Sequence, residues 1–255
     1  MKIGLVLSGG GARGIAHIGV IKALEEMNIR PDVISGTSAG SIVGTLYAGG
    51  MKPEEIFEVV SHLSIFRSVK IAWAWSGLLK MEGLQALLTK HIPANTFESL
   101  KIPLTVAATE IRLGEIQYFS SGELAQAVIS SCSIPGVFDP VHFKDHLYVD
   151  GGLLDNLPAR PIRDKCDFLI GSHCNHLTTE YNEHSLKSTI ERSMLITISA
   201  NTTASRALCD LVIEPPYMAR YSVFEMGKAH EIYESAYKYT KENFLPQHFQ
   251  KNRVA

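Results

Sequence analysis

Short apolar runs alternate with stretches whose apolar residues recur every three or four positions along the 255-residue chain. Lys2 to Leu7 is such a run; Ser8-Gly9-Gly10-Gly11-Ala12-Arg13-Gly14 follows, then Ile15, Ile18, Ile21 and Leu24 at helical spacing. This predicts strand, glycine loop, helix. Asp32-Val33-Ile34-Ser35, Gly36-Thr37-Ser38-Ala39-Gly40 and the apolar, Gly-punctuated run to Gly50 repeat that plan. Strands are predicted over 102–107 and 115–119, joined by a hairpin-like connection at 110–114, and over 146–149, 167–173 and 210–214. Helices are predicted over 53–63, 83–91, 122–131, 186–205 and 222–244, the last opening on Ser222 and Glu225 at capping spacing. Asp155-Asn156 reads as a cap before another helix. Strands alternating with helices imply an α/β fold in three layers, a mainly parallel sheet with helices on both faces. One domain over 1–255 is expected, without repeats or linkers.

Composition narrows the function. At 45% hydrophobic residues the chain can bury a core without disulfides. Cys132, Cys166, Cys174 and Cys209 are widely spaced, with no C-x-x-C, so reduced, buried thiols are expected. A net charge of -2 and the lack of a dense Lys/Arg run argue against nucleic acid as a partner. The apolar run at the N-terminus is too short for a signal peptide, and no stretch reaches the roughly 18 apolar residues of a membrane span, so a cytoplasmic location is expected. Both tryptophans, Trp73 and Trp75, fall in residues 65–81, beside Arg67, Lys70 and Lys80; this stretch reads as a core or dimer contact, or as a lid or a surface for peripheral membrane contact.

Gly36-Thr37-Ser38-Ala39-Gly40 is a G-x-S-x-G at a predicted strand-to-helix junction, which seats a nucleophilic serine on a sharp turn. Gly9, Gly11 and Gly14 formally match a dinucleotide fingerprint, yet the acidic residue that such a site needs at the end of the second strand is missing. The other use of Gly9, Gly10, Gly11 and Gly14 is an oxyanion hole of backbone N–H groups, with Arg13 as added charge or as a loop-ordering donor. Asp150, at a strand end before Gly151-Gly152, is eligible to face Ser38. A Ser-His-acid arrangement would instead draw on His173, His176, His184, His230 or His248, and a non-catalytic lipid- or nucleotide-binding role is the alternative from another class. No cluster has metal-ligand spacing, so no metal or cofactor is expected.

Gly9-Gly10-Gly11-Ala12-Arg13-Gly14, Gly36-Thr37-Ser38-Ala39-Gly40 and Asp150-Gly151-Gly152, in that order, resemble the patatin-like phospholipase family. The resemblance extends to Ser131-Cys132-Ser133-Ile134-Pro135 and to Gly151 through Pro158. It implies a serine lipid acyl hydrolase with a Ser38–Asp150 dyad, the first glycine loop as oxyanion hole, Gly36, Gly40, Gly151 and Gly152 as supports, and a lipid or small acyl ester as substrate.

Overall fold

The computed structural model describes residues 1–61, 81–179 and 184–249. Its strands are β1 Ile3–Leu7, β2 Val33–Thr37, β3 Leu104–Glu110, β4 Glu115–Phe119, β5 Val141–Phe143, β6 His146–Asp150, β7 Phe168–Ser172 and β8 Leu211–Ile213. Its helices are α1 Ala16–Glu26, α2 Ala39–Ala48, α3 Pro53–Ser61, α4 Glu82–His91, α5 Leu124–Cys132, α6 Arg160–Arg163, α7 Leu186–Leu208 and α8 Ala229–Asn243.

The period of two along the central strands sorts their side chains into two cores. Leu5 and Leu7 of β1, Ile34 of β2 and Phe168 and Ile170 of β7 pack into the larger core with residues of α1, α2, α5 and α8. The intervening Val6, Val33 and Leu169 pack on the other face against Leu157 and Ala159, which precede α6, and against its Ile162. β1 and β7, covered on both faces, are mostly apolar, as parallel strands tend to be, whereas β2 and β3 also bury Ser35, Thr37, Thr105 and Thr109.

β8, β7, β1, β2 and β3 hydrogen-bond in that order and all run parallel. β4 turns back antiparallel along one edge of β3, from Val106 to Glu110. β2 pairs with the other edge at residues 104–107, and β6 pairs antiparallel with β3 at 108–110. Since β4 already occupies one edge over 106–110, β2 and β6 share the remaining edge, end to end. Thr37 lies level with Ala107 and Asp150 with Ala108, so the carboxyl ends of β2 and β6 meet.

The elements differ from expectation in several places. β3 runs Leu104–Glu110 where 102–107 is expected, and α7 continues to Leu208. Gly122, at φ 78°, donates its N–H to Glu98, and the helix begins at Leu124. Asp155 and Asn156 do not cap α6: Asp155 accepts hydrogen bonds from the Tyr118 and Ser205 hydroxyls and from the Leu157 backbone, and α6 begins only at Arg160, without a side-chain cap. The 222–244 helix begins only at Ala229, because Val223 gives its N–H to Glu191 and its carbonyl to the Ala12 N–H. β5 was unforeseen, a short strand paired with β6. The Trp-bearing stretch lies outside the described residues, apart from Met81.

Candidate active site

Ser38 follows β2 directly and carries φ 52° and ψ -125° before α2 begins at Ala39. A positive φ on a side-chain-bearing residue is costly and is tolerated where neighbours over-determine it. The neighbours are visible: the Ser38 N–H donates to Ser131 Oγ at 2.8 Å, and the Ser38 carbonyl accepts from Ser41 N–H and Oγ. A Cβ on Gly36 would sit 2.6 Å from the Gly40 carbonyl oxygen, so the elbow needs glycine there. The Ser38 hydroxyl makes no helix-capping bond, which leaves it available beside the N-terminus of α2.

Gly10 and Gly11 face the same space. Gly11 has φ 55°, and a side chain there would collide with the Val223 carbonyl. That carbonyl also accepts the Ala12 N–H at 2.8 Å, so the 221–224 segment props the loop from behind. The N–H groups of Gly10 and Gly11 have no partner among the described residues. Gly9 and Gly14 do something else. The Gly9 N–H donates to the Asn156 carbonyl at 3.1 Å, and Gly14 packs against Ala39, where no Cβ would fit. Arg13 is buried, and its Nε donates to the Tyr221 carbonyl at 2.6 Å, which makes it an orderer of the loop.

Asp150 is 7% exposed and Ser38 6%. The Asp150 Oδ1 accepts the Gly152 N–H at 2.8 Å. Burial pushes its carboxyl up to about 6, against hydrogen bonds from Ser38 and Gly152 that pull it down. The Asp150 N–H is held by the Ser133 carbonyl at 2.9 Å, so the Ser131–Pro135 block touches both residues. Gly151, like Gly36, has no room for a side chain, its Cβ position lying against the Ala107 carbonyl.

Ser38, Asp150, Gly10 and Gly11 all line one cavity of about 390 Å³. Its remaining wall is largely apolar: Ile134, Pro135, Leu153, Val223 and Phe224, with Ile190, Met194 and Ile198 from successive turns of α7. A cavity of that size with few polar groups suits a small apolar-bodied ligand. Sequence patterning gave α7 as a helix but not as a wall; Ser131 and Asn156 lie in stretches that carry the resemblance, but their bonds, and Asn201 altogether, were not legible, since the partners lie far away along the chain.

None of the five candidate histidines lines this cavity. His173 is buried and engaged with Glu214 at 2.8 Å; burial would raise the Glu214 carboxyl, but bonds from His173 and Arg206 hold it down at about 2. His230 packs on Phe57, and His248 accepts the Leu245 N–H. All four cysteines are free thiols, with Cys166 and Cys209 only half-buried. Among the described residues, no group of three or more His, Cys, Asp or Glu is placed to hold a metal, and no helix is long and apolar enough to cross a membrane.

An α/β protein with a serine on a strand-to-helix elbow, its hydroxyl open to an apolar cavity, has the frame on which many hydrolases are built. A family model described as patatin-like phospholipase matches residues 5–163, and the chain belongs to that family. It is 36% identical over 163 residues to an uncharacterized NTE family protein of Mycobacterium bovis, a match covering 63% of this chain and 45% of that protein. It is 36% identical over 166 residues to lysophospholipase NTE1 of Coccidioides immitis, covering 61% of this chain and 10% of that one. The chain therefore matches less than half the length of these curated relatives. Among solved structures, the heterodimeric ExoU–SpcU complex of the Pseudomonas aeruginosa type III secretion system contains a chain that aligns with 98% of this one and 52% of its own length, at a TM-score of 0.50 and 21% identity. That likeness is one of fold.

Proposed function

We propose that this chain is a serine hydrolase of lipid carboxylic esters, working through a Ser38–Asp150 dyad and an acyl-enzyme. The observation that carries the reading is the meeting of a buried hydroxyl, a buried carboxylate and two backbone N–H groups without a partner among the described residues in one apolar-walled cavity. Family membership supports the reaction class, and the lysophospholipase relative supports a lysophospholipid or similar single-chain ester as substrate.

Asp150 takes the proton of Ser38 as Oγ attacks the ester carbonyl carbon. The Gly10 and Gly11 N–H groups receive the oxyanion, each donor worth roughly 3 kcal/mol in such a site. Collapse expels the alcohol, which regains the proton from Asp150. Water then attacks the acyl-Ser38 with Asp150 again as base, and the fatty acid leaves. A carboxylate of ordinary pKa would be a poor base for a hydroxyl; burial brings Asp150 up to about 6, nearer the working pH. The five histidines outside the cavity argue against a Ser-His-Asp arrangement.

The test is hydrolysis of p-nitrophenyl butyrate and of lysophosphatidylcholine by the purified chain. The wild type is expected to turn over at least one of them, Ser38→Ala neither, and Asp150→Asn at less than a hundredth of the wild-type rate. Wild-type turnover by folded Ser38→Ala would overturn the assignment.

A further inference from the structure

Asn201 lies on α7, one turn beyond Thr197 and Ile198 of the cavity wall, and its side chain leaves the helix altogether. Its Nδ2 donates to the Gly152 carbonyl at 2.9 Å and to the Leu153 carbonyl at 3.3 Å, and its Oδ1 accepts the Asn156 N–H at 3.1 Å. Two of these partners, Gly152 and Asn156, lead to the reacting groups. Gly152 is the residue whose N–H bonds Asp150 Oδ1. Asn156 holds the glycine loop from behind, its carbonyl accepting the Gly9 N–H next to Gly10. A single amide thus ties the helix that walls the cavity to the loop of the carboxylate and to the loop of the N–H donors.

We propose that Asn201 is a positioning residue, the latch through which α7 keeps the Asp150 loop and the Gly9–Gly11 loop in register with Ser38. The inference rests on the hydrolase reading above. Its chemistry is specific to the amide: donors are needed toward two carbonyls and an acceptor toward one N–H, and a Ser or Thr hydroxyl, with a single donor, cannot make all three bonds. A carboxylate at this position would keep the acceptor but set negative charge against the Gly152 and Leu153 carbonyl oxygens. A leucine would fill the space and make none of the three bonds.

The experiment compares Asn201→Leu and Asn201→Asp with wild type at pH 8, reading kcat and KM on p-nitrophenyl butyrate and backbone hydrogen exchange in the 150–157 peptide, with melting temperature as the folding control. Loss of orientation in a reacting group by about an ångström is worth on the order of a hundredfold in rate. Both variants are expected to lose at least tenfold in kcat with KM within twofold, and to exchange faster in 150–157 while the rest of the chain is unchanged. Wild-type kcat in both, or an effect confined to KM, would overturn the latch and leave the hydrolase reading standing. If the wild type proves inert toward esters, the hydrolase reading fails, and the exchange measurement still decides the latch: unaltered exchange in 150–157 refutes it. Should Asn201→Leu not fold, Asn201→Asp carries the same readouts.

Discussion

Two residues in the cavity are held at a cost to the fold, and each cost is measurable. Ser38 sits at φ 52°, a conformation that glycine adopts without strain. Such positions cost of order 1–3 kcal/mol. Ser38→Gly is therefore expected to be more stable than Ser38→Ala by on the order of 1 kcal/mol in denaturant unfolding, both being inactive. Asp150 is the second. Its unfolded carboxyl titrates near 3.8 and its folded one near 6, so between those values the folded state keeps a proton that the unfolded state has lost. Stability contributed by protonated Asp150 is full below about 3.8 and is lost as pH rises through 6. A gap of about two units corresponds to ~3 kcal/mol. Asp150→Asn should thus be more stable than wild type at pH 8 by up to ~3 kcal/mol, with the gain vanishing toward pH 4. Activity should run the other way, rising with a single ionisation as pH passes about 6. A pH–rate profile flat from pH 5 to 8 would deny Asp150 the role of base.

Among elements, α7 has the largest say in what enters. Ile190, Met194 and Ile198 recur every fourth residue and line the cavity, with Ile190 partly open to solvent at its mouth, whereas Leu186 and Ile196 of the same helix do not line it and are exposed. Met194→Trp is expected to fill part of the space, raising KM for long-chain p-nitrophenyl esters at least tenfold while changing that for the acetate less than twofold. Equal effects on both would place acyl chains elsewhere. The spacing of these residues told that a helix was there, but nothing in it told what the helix covered. Glycine motifs were legible because their geometry is local: Gly36 through Gly40 dictates the elbow within five residues. The 222–225 stretch was misread for the opposite reason. Its capping pattern is helical, but its backbone is drawn into bonds with Glu191 and Ala12, far off in sequence.

At the scale of the molecule, the meeting of Ser38 and Asp150 follows from sheet register. β2 stops at Thr37 and β6 takes over the same edge of β3 at Ala108, so the two carboxyl ends abut. The sequence pattern announced a mainly parallel sheet and its helices; it did not announce that β6 would return antiparallel, because strand pairing depends on contacts between distant segments. Gly40 marks how tightly this junction is closed, since a Cβ there would strike the carbonyls of Leu7 and Ser8 at the end of β1. Gly40→Ala is expected to destabilise the fold by about 2 kcal/mol, as overpacking does elsewhere, and to lower activity with it; unchanged thermal unfolding would contradict the close approach.

Covalent capture reads the proposed chemistry most directly. The purified chain is treated with a fluorophosphonate at pH 8, and the adduct is located by peptide mass spectrometry. One adduct on the peptide bearing Ser38 is expected in the wild type, none in Ser38→Ala, and labelling slowed at least tenfold in Asp150→Asn. A folded wild-type chain that stays unlabelled, or an Asp150→Asn chain labelled at the wild-type rate, would contradict the dyad.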